Sequence, residues 1–247
     1  MEKHLYVIIP AAGTGSRMNI NESKLFLPIH GIPILTRTLL SFSFFSEKNK
    51  VNVHSIIVTS QELLPRVSSL VEENMFNFVE GIILGGQTRQ DSVYNGVQHL
   101  TRLSRQPKEN DIVFIHDGAR CLVDEPTLLR CFFDAEKYGA CTAAVPVKDT
   151  IKEAASKENG ELLVEKTLKR ELLHAIQTPQ AFTWDILQKS YQNAKETGVI
   201  GTDDTSLAEA MGYTVHLTAG SYKNIKITTP EDIYVAEAFL KEAPGEP

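Results

Sequence analysis

Short apolar runs rich in β-branched residues recur along the chain at Leu5 to Ile9, His54 to Thr59, Gly81 to Leu84, Asp111 to His116, Thr142 to Val147 and Thr214 to Thr218. Between most of them lie longer stretches whose apolar positions repeat at helical spacing: Pro33 to Phe45, Gln61 to Glu73, Asp91 to Leu103, Glu125 to Tyr138, Thr183 to Thr197 and Thr205 to Met211, with Pro230 to Lys241 closing the chain. Strands alternating with helices predict βαβ units and a mostly parallel sheet flanked by helices. Runs such as IIVTS and DIVFIH have no polar face, as burial on both sides of a sheet requires. Two polar connections, Glu47 to Asn52 and Arg105 to Asn110, read as surface loops and not as domain linkers. The expectation is one domain over residues 1–247.

The alternation breaks between Lys148 and Val164. There KDTIKEAASKENGELLV places two semi-alternating arms around Lys157-Glu158-Asn159-Gly160, and Asn-Gly is a strong hairpin turn signal. Its apolar positions, Ile151, Leu162, Leu163 and Val164, are too few to make a core, so the segment is read either as a mobile surface flap or as a protruding arm that pairs with another chain, and the expectation is an arm paired with a second copy.

Composition narrows the class. The 247 residues are 42% hydrophobic and 23% charged, enough for a sizeable core. A formal net charge of −6 argues against a general affinity for nucleic acid or anionic membrane, so a polyanionic ligand must meet local cations. The three cysteines, Cys121, Cys131 and Cys141, form no CxxC pair, which points away from a disulfide framework or structural zinc and toward a reducing compartment. The apolar run before Pro10 is too short for a signal sequence and no stretch is long enough to span a membrane, so a cytoplasmic location is expected.

Candidate chemistry gathers where strands are expected to end. Pro10-Ala11-Ala12-Gly13-Thr14-Gly15-Ser16-Arg17-Met18 follows the first strand, with Lys24 shortly after. Small residues let backbone N–H groups approach an anion, but the dinucleotide fingerprint is incomplete because Met18 stands in for its third glycine, and the Walker pattern is absent. A tight strand-to-helix turn would explain the glycines alone; Arg17 and Lys24 together suit a triphosphate. Gly85-Gly86 leads into a second such turn, where Asp91 reads as a helix cap and Arg89 and Ser92 as ligand candidates. At the end of the fourth strand, Asp117 can hold a magnesium ion and Arg120 can face phosphate, against the alternative of a turn cap paired with Arg120. The seven histidines show no ligand spacing and read as structural. With no GxSxG elbow and no cysteine motif, acyl-enzyme chemistry lacks a carrier, and phosphoryl or nucleotidyl transfer fits.

In the order PAAGTGSRM, Lys24, GGQTRQDSV, HDGAR, VPVKDTIKE, KRELLHAIQTPQAF, GTDDTSLAE and NIKITTPEDI, the sequence resembles the 2-C-methyl-D-erythritol 4-phosphate cytidylyltransferases of non-mevalonate isoprenoid biosynthesis from Val7 to about Leu240. Ser23-Lys24-Leu25 stands where that family commonly has Pro-Lys-Gln, and Cys121 where it has proline. The resemblance implies a Rossmann-like α/β fold and a homodimer through the hairpin arm. It implies that Ala11, Ala12, Gly13 and Gly15 line a CTP site, with Gly86 and Ser92 near cytosine and ribose. Arg17 and Lys24 would hold the triphosphate, Asp117 would ligate Mg²⁺, and Arg120, Thr150, Arg170, Thr178, Thr202 and Lys226 would bind the sugar-alcohol phosphate, with Arg170 and Lys226 also catalytic. Two other readings stay open at this point: a pentitol-phosphate cytidylyltransferase acting on ribitol 5-phosphate, and a non-catalytic nucleotide-binding regulator.

Overall fold

The computed structural model describes residues 2–13, 23–157 and 160–241. Strand β1 (Lys3–Pro10) is followed by the short pair β2 (Pro28–Ile29) and β3 (Ile32–Pro33), helix α1 (Ile34–Asn49), β4 (Val51–Thr59), α2 (Leu64–Glu73), β5 (Val79–Leu84), α3 (Arg89–Leu100) and β6 (Ile112–Ile115). Then come α4 (Glu125–Tyr138), β7 (Ala140–Pro146), β8 (Lys152–Ser156), β9 (Leu162–Thr167), β10 (His174–Thr183), α5 (Trp184–Thr197), α6 (Asp204–Ala210), β11 (His216–Ala219) and α7 (Pro230–Lys241). Among the described residues no helix is long and apolar enough to cross a membrane.

Seven strands form one sheet in the order β11-β7-β10-β6-β1-β4-β5. The pairs β6-β1, β1-β4, β4-β5 and β11-β7 are parallel, and β10 runs antiparallel to both of its neighbours. This mostly parallel sheet is expected from the alternating pattern. Its two faces carry two cores. On one, Leu5, Val7 and Ile9 of β1 pack with Leu35, Leu39 and Phe42 of α1 and Phe132 of α4; on the other, Tyr6 and Ile8 pack with Val93 and Val97 of α3 and Leu187 of α5. The period-2 alternation of β1 thus serves both layers, which is why all five residues from Leu5 to Ile9 are fully buried.

Two readings of the pattern are corrected. β10 is absent from the run of strands read in the sequence, because Gln177, Thr178, Pro179 and Gln180 interrupt its apolar residues and proline argues against a central strand. The structure accommodates them in a register shift between Ile176 and Gln180 against β7, so Pro179 sits where the ladder is already broken. Glu47 to Asn52 is not a loop: α1 continues to Asn49 and β4 starts at Val51, and Lys50 alone makes the connection in the left-handed region at φ 55°, its N–H closing on the Ser46 carbonyl. The β2-β3 hairpin was not anticipated either; its His30-Gly31 turn has φ 45° and 78°, the positive pair of a tight hairpin turn.

The arm is a separate antiparallel pair, β8 with β9, and every residue of both strands is exposed. Its returning strand runs beyond Val164 to Thr167, where Lys152 faces Thr167. Residues 158–159 of the expected turn lie outside the described residues.

Candidate active site

The carboxyl ends of β1, β5 and β6 open onto one cavity of about 460 Å³, lined by Ala11, Ala12 and Gly13 after β1, Gly86 to Arg89 after β5, Asp117 to Ala119 after β6, and by Lys24, Ser92, Lys226 and Thr228. This edge is where an open α/β sheet presents backbone N–H groups and loop side chains to a ligand.

Each wall has a local cause. Ala11 is pinned to the sheet, its N–H donating to the Val58 carbonyl at 2.7 Å, while the Thr59 hydroxyl donates to the Ala11 carbonyl at 3.2 Å. The second wall is fixed by the start of α3. Thr88 is its cap, accepting from the Asp91 N–H at 3.0 Å, and the Asp91 carboxylate accepts in return from the Thr88 N–H. Asp91 therefore belongs to the cap, as the third helical residue of a capping box with Thr88 as the capping residue itself. Ser92 turns its hydroxyl back into the loop, accepting from the Gly86 N–H at 3.1 Å and donating to the Thr88 carbonyl at 2.8 Å. It shapes the loop from within the wall.

Asp117 is the electrostatic focus. Its carboxylate lies 2.8 Å from Lys226 Nζ, 3.4 Å from an Arg89 terminal nitrogen and 3.8 Å from Arg120 Nε. Burial would raise this carboxyl, but Arg89, then Lys226 and Arg120, outweigh burial and hold its pKa at about 2. Lys24 reaches the same cavity from a short turn at Lys24–Phe26 whose Leu25 and Phe26 are buried, and its Nζ donates to the Ile227 carbonyl at 2.7 Å. Ser23 and Leu25 thus still deliver the lysine to the cavity.

Behind Asp117 the backbone is held by β10. The Thr178 hydroxyl accepts from the Asp117 N–H at 3.1 Å and shares a hydrogen bond with His116 Nδ1 at 3.1 Å, while His116 Nε2 contacts the Arg120 carbonyl at 3.1 Å. Burial pulls the His116 pKa down to about 4, so its imidazole is neutral and structural, as its spacing suggests. Arg120 spends its terminal nitrogens on the carbonyls of Asn224, at 2.8 Å, and Ile176, at 3.4 Å; it ties the loop before α7 to β10 in addition to facing Asp117.

The cavity therefore unites Ala11, Ala12, Gly13, Lys24, Gly86, Ser92, Asp117 and Lys226, with Thr178 and Arg120 immediately behind. It does not include Thr150 and Arg170, which are exposed at the base of the arm, where Arg170 donates to the Lys148 carbonyl at 2.9 Å. Thr202 is exposed just before α6. Gly15 and Arg17 lie outside the described residues. Sequence reasoning passed over Thr228 and the pair Tyr191 and Asp204. Asp204 receives both terminal nitrogens of Arg89, at 2.9 and 2.7 Å, across 115 positions of sequence. Its only local signal is the acidic doublet Asp203-Asp204 opening a helix, which a capping residue explains equally well.

The family model for 2-C-methyl-D-erythritol 4-phosphate cytidylyltransferase (IspD) matches residues 5–242. The chain belongs to this family. A cytidylyltransferase of that name from Bacillus thuringiensis is 42% identical over 234 residues, covering 95% of this chain and 96% of its own. Its namesake in Clostridium acetobutylicum is 41% identical over 235 residues, with the same coverage of 95% and 96%. Among solved structures, a 4-diphosphocytidyl-2C-methyl-D-erythritol synthase from Anaerococcus prevotii superposes with a TM-score of 0.76 at 29% identity and 97% coverage of both chains. The matched residues take in the sheet from Leu5 onward and both glycine-bearing walls.

Proposed function

We propose that this IspD family member transfers the cytidylyl group of CTP to 2-C-methyl-D-erythritol 4-phosphate, releasing pyrophosphate. The observation that carries the reading is the convergence of Lys24, Arg89, Lys226 and one ionised carboxylate, Asp117, on a single cavity walled by small residues.

The acceptor phosphate is already a nucleophile, so attack on the α-phosphorus of CTP needs no general base; the difficulty is charge and alignment. A triphosphate with about four negative charges must be brought to a phosphate with about two, and cations placed beforehand offset that repulsion. Lys24 and Lys226 face the cavity from distant stretches of the chain and supply these cations, and the family resemblance adds Arg17. Ala12 and Gly13 can turn backbone N–H groups toward the nucleotide, while Ala11 and Gly86, whose N–H groups are held by the Val58 carbonyl and the Ser92 hydroxyl, give it a wall of small residues, a role the family resemblance extends to Gly15. In-line displacement of pyrophosphate then proceeds without a covalent enzyme intermediate.

Asp117 suits a divalent cation. Among the described residues no three His, Cys, Asp or Glu side chains gather as a metal cage, and Mg²⁺ held through one carboxylate takes its remaining ligands from phosphate and water. A divalent cation held by Asp117 would offset phosphate charge. Lys226, 38% exposed at its side chain, is free to exchange its contact with Asp117 for the acceptor phosphate.

Thr150 and Arg170 belong to the reading through a homodimer. The arm leaves Leu162 and Val164 exposed at 74% and 62%, and pairing with a second arm in an isologous contact buries them while carrying Thr150 and Arg170 toward the partner's acceptor pocket. The enzyme is expected to work in the cytoplasm, where its buried cysteines remain reduced.

Pyrophosphate release from CTP, measured in parallel with methylerythritol phosphate and ribitol 5-phosphate, tests the assignment. Release that depends on methylerythritol phosphate is expected; release preferring ribitol phosphate, or none with either acceptor, would overturn it.

A further inference from the structure

The mechanism above makes no use of Asp204, although its side chain is 1% exposed to solvent and charged. It opens α6, where its N–H donates to Gln180 Oε1 at 2.8 Å, and it does not line the cavity, although its partner Arg89 does. Three donors converge on that carboxylate: both terminal nitrogens of Arg89, at 2.9 and 2.7 Å, and the hydroxyl of Tyr191. The Arg89 nitrogen that makes the 2.7 Å contact also lies 3.4 Å from Asp117 Oδ1. Arg89 is thus a guanidinium between two buried carboxylates. It gives its two-pronged, short pairing to the one outside the cavity and only a long edge to the one inside it.

We propose that Asp204 is a positioning residue that holds Arg89 off Asp117, so that the cavity carboxylate keeps a side open for the divalent cation of a metal–triphosphate ligand. The inference rests on the nucleotidyl-transfer reading. A planar guanidinium matched bidentately to a carboxylate is fixed in direction as well as distance, and the Tyr191 hydroxyl fixes the carboxylate in turn. Arg89 is the first residue of α3, its backbone held by the capping box, and its side chain is 36% exposed, close to the 38% of Lys226, so it is the two-pronged pairing with Asp204 that fixes where the guanidinium lies. Without Asp204, Asp117 at 3.4 Å is the carboxylate that remains in contact with the guanidinium, and a close pairing there would set a cation against an incoming one. Arg120 does not take this part, because its terminal nitrogens are committed to the carbonyls of Asn224 and Ile176.

The test is Mn²⁺ uptake followed by electron paramagnetic resonance at saturating CTP with no acceptor present, so that no turnover enters the readout. Asp204→Asn keeps the shape and removes the charge; its Mn²⁺ dissociation constant is expected to rise about fivefold or more, the effect of one competing charge at close range. Adding Arg89→Gln to that variant removes the competitor and is expected to bring the constant back to the wild-type value, a rescue that a purely structural role for Asp204 would not give. If Asp204→Asn does not fold, Arg89→Gln alone decides, since it is expected to bind Mn²⁺ at least as tightly as wild type. Unchanged binding in Asp204→Asn, failure of the double variant to recover, or weaker binding in Arg89→Gln would each overturn the proposal while leaving the assigned reaction standing. Wild-type protein that takes up no Mn²⁺ with CTP would overturn the metal–triphosphate reading itself, and the proposal with it.

Discussion

His116 and Asp117 are adjacent, equally enclosed, and pushed to opposite protonation outcomes by what surrounds them. Asp117 is held charged by three cations; His116 meets a hydroxyl and a carbonyl and is held neutral. Burial lowers the His116 pKa to about 4, whereas the unfolded chain takes up that proton near 6.5. Between those values the unfolded state binds more protons, so stability rises with pH; the contribution is complete above pH 6.5 and is lost as pH falls toward 4. The shift corresponds to about 3 kcal/mol. Urea titrations between pH 4.5 and 6.5 avoid Asp117, which stays ionised down to about 2, and wild type is expected to lose stability across that window while His116→Gln loses much less. Equal slopes for the two proteins would mean that His116 titrates in the fold as it does in the unfolded chain.

At the scale of elements, the glycine-bearing turn between β5 and α3 shows how little room the site leaves. A Cβ on Gly86 would lie 2.3 Å from Asp91 Cβ and 3.1 Å from its carbonyl carbon, so Gly86→Ala must displace the first turn of α3 and its capping box. Loss of such a cap costs about 1 kcal/mol. The variant is expected to melt earlier and to show a raised KM for CTP with a smaller change in kcat, because the displaced wall is the one proposed to bind nucleotide and not to carry the transferring charge. An unchanged KM would separate this turn from the nucleotide site. The same elements show what the sequence could reveal. Strands β1, β4, β5 and β6 and helices α4 and α7 were legible from their apolar runs and spacing, and Ala11, Gly13, Gly86 and Asp117 because each follows such a strand. β10 was not, since a proline and three polar residues erase its pattern and only its neighbours in the sheet make it a strand. Asp204 was not, because a buried ion pair across 115 positions leaves no local periodicity to read.

For the whole molecule, the arm is the part that the single chain leaves unfinished. Its two strands touch water along their full length, and an isolated hairpin is at best marginally stable. Replacing residues 151–164 with a short Gly-Ser turn is expected to convert a dimer to a monomer in light scattering at micromolar concentration and to depress turnover, since Thr150 and Arg170 lose the neighbour they serve. A monomeric intact protein, or a shortened monomer of full activity, would remove the arm from both roles. Across the molecule, the cations of this cavity are proposed to drive cytidylyl transfer. The most direct measurement is the stoichiometry and rate of pyrophosphate release from CTP with methylerythritol phosphate, for wild type and Lys24→Ala at saturating substrates. One pyrophosphate per acceptor consumed is expected, with the variant's barrier raised by about 3 kcal/mol, roughly a hundredfold in kcat. Pyrophosphate released without consumption of the acceptor, or a Lys24→Ala enzyme that turns over like wild type, would contradict it.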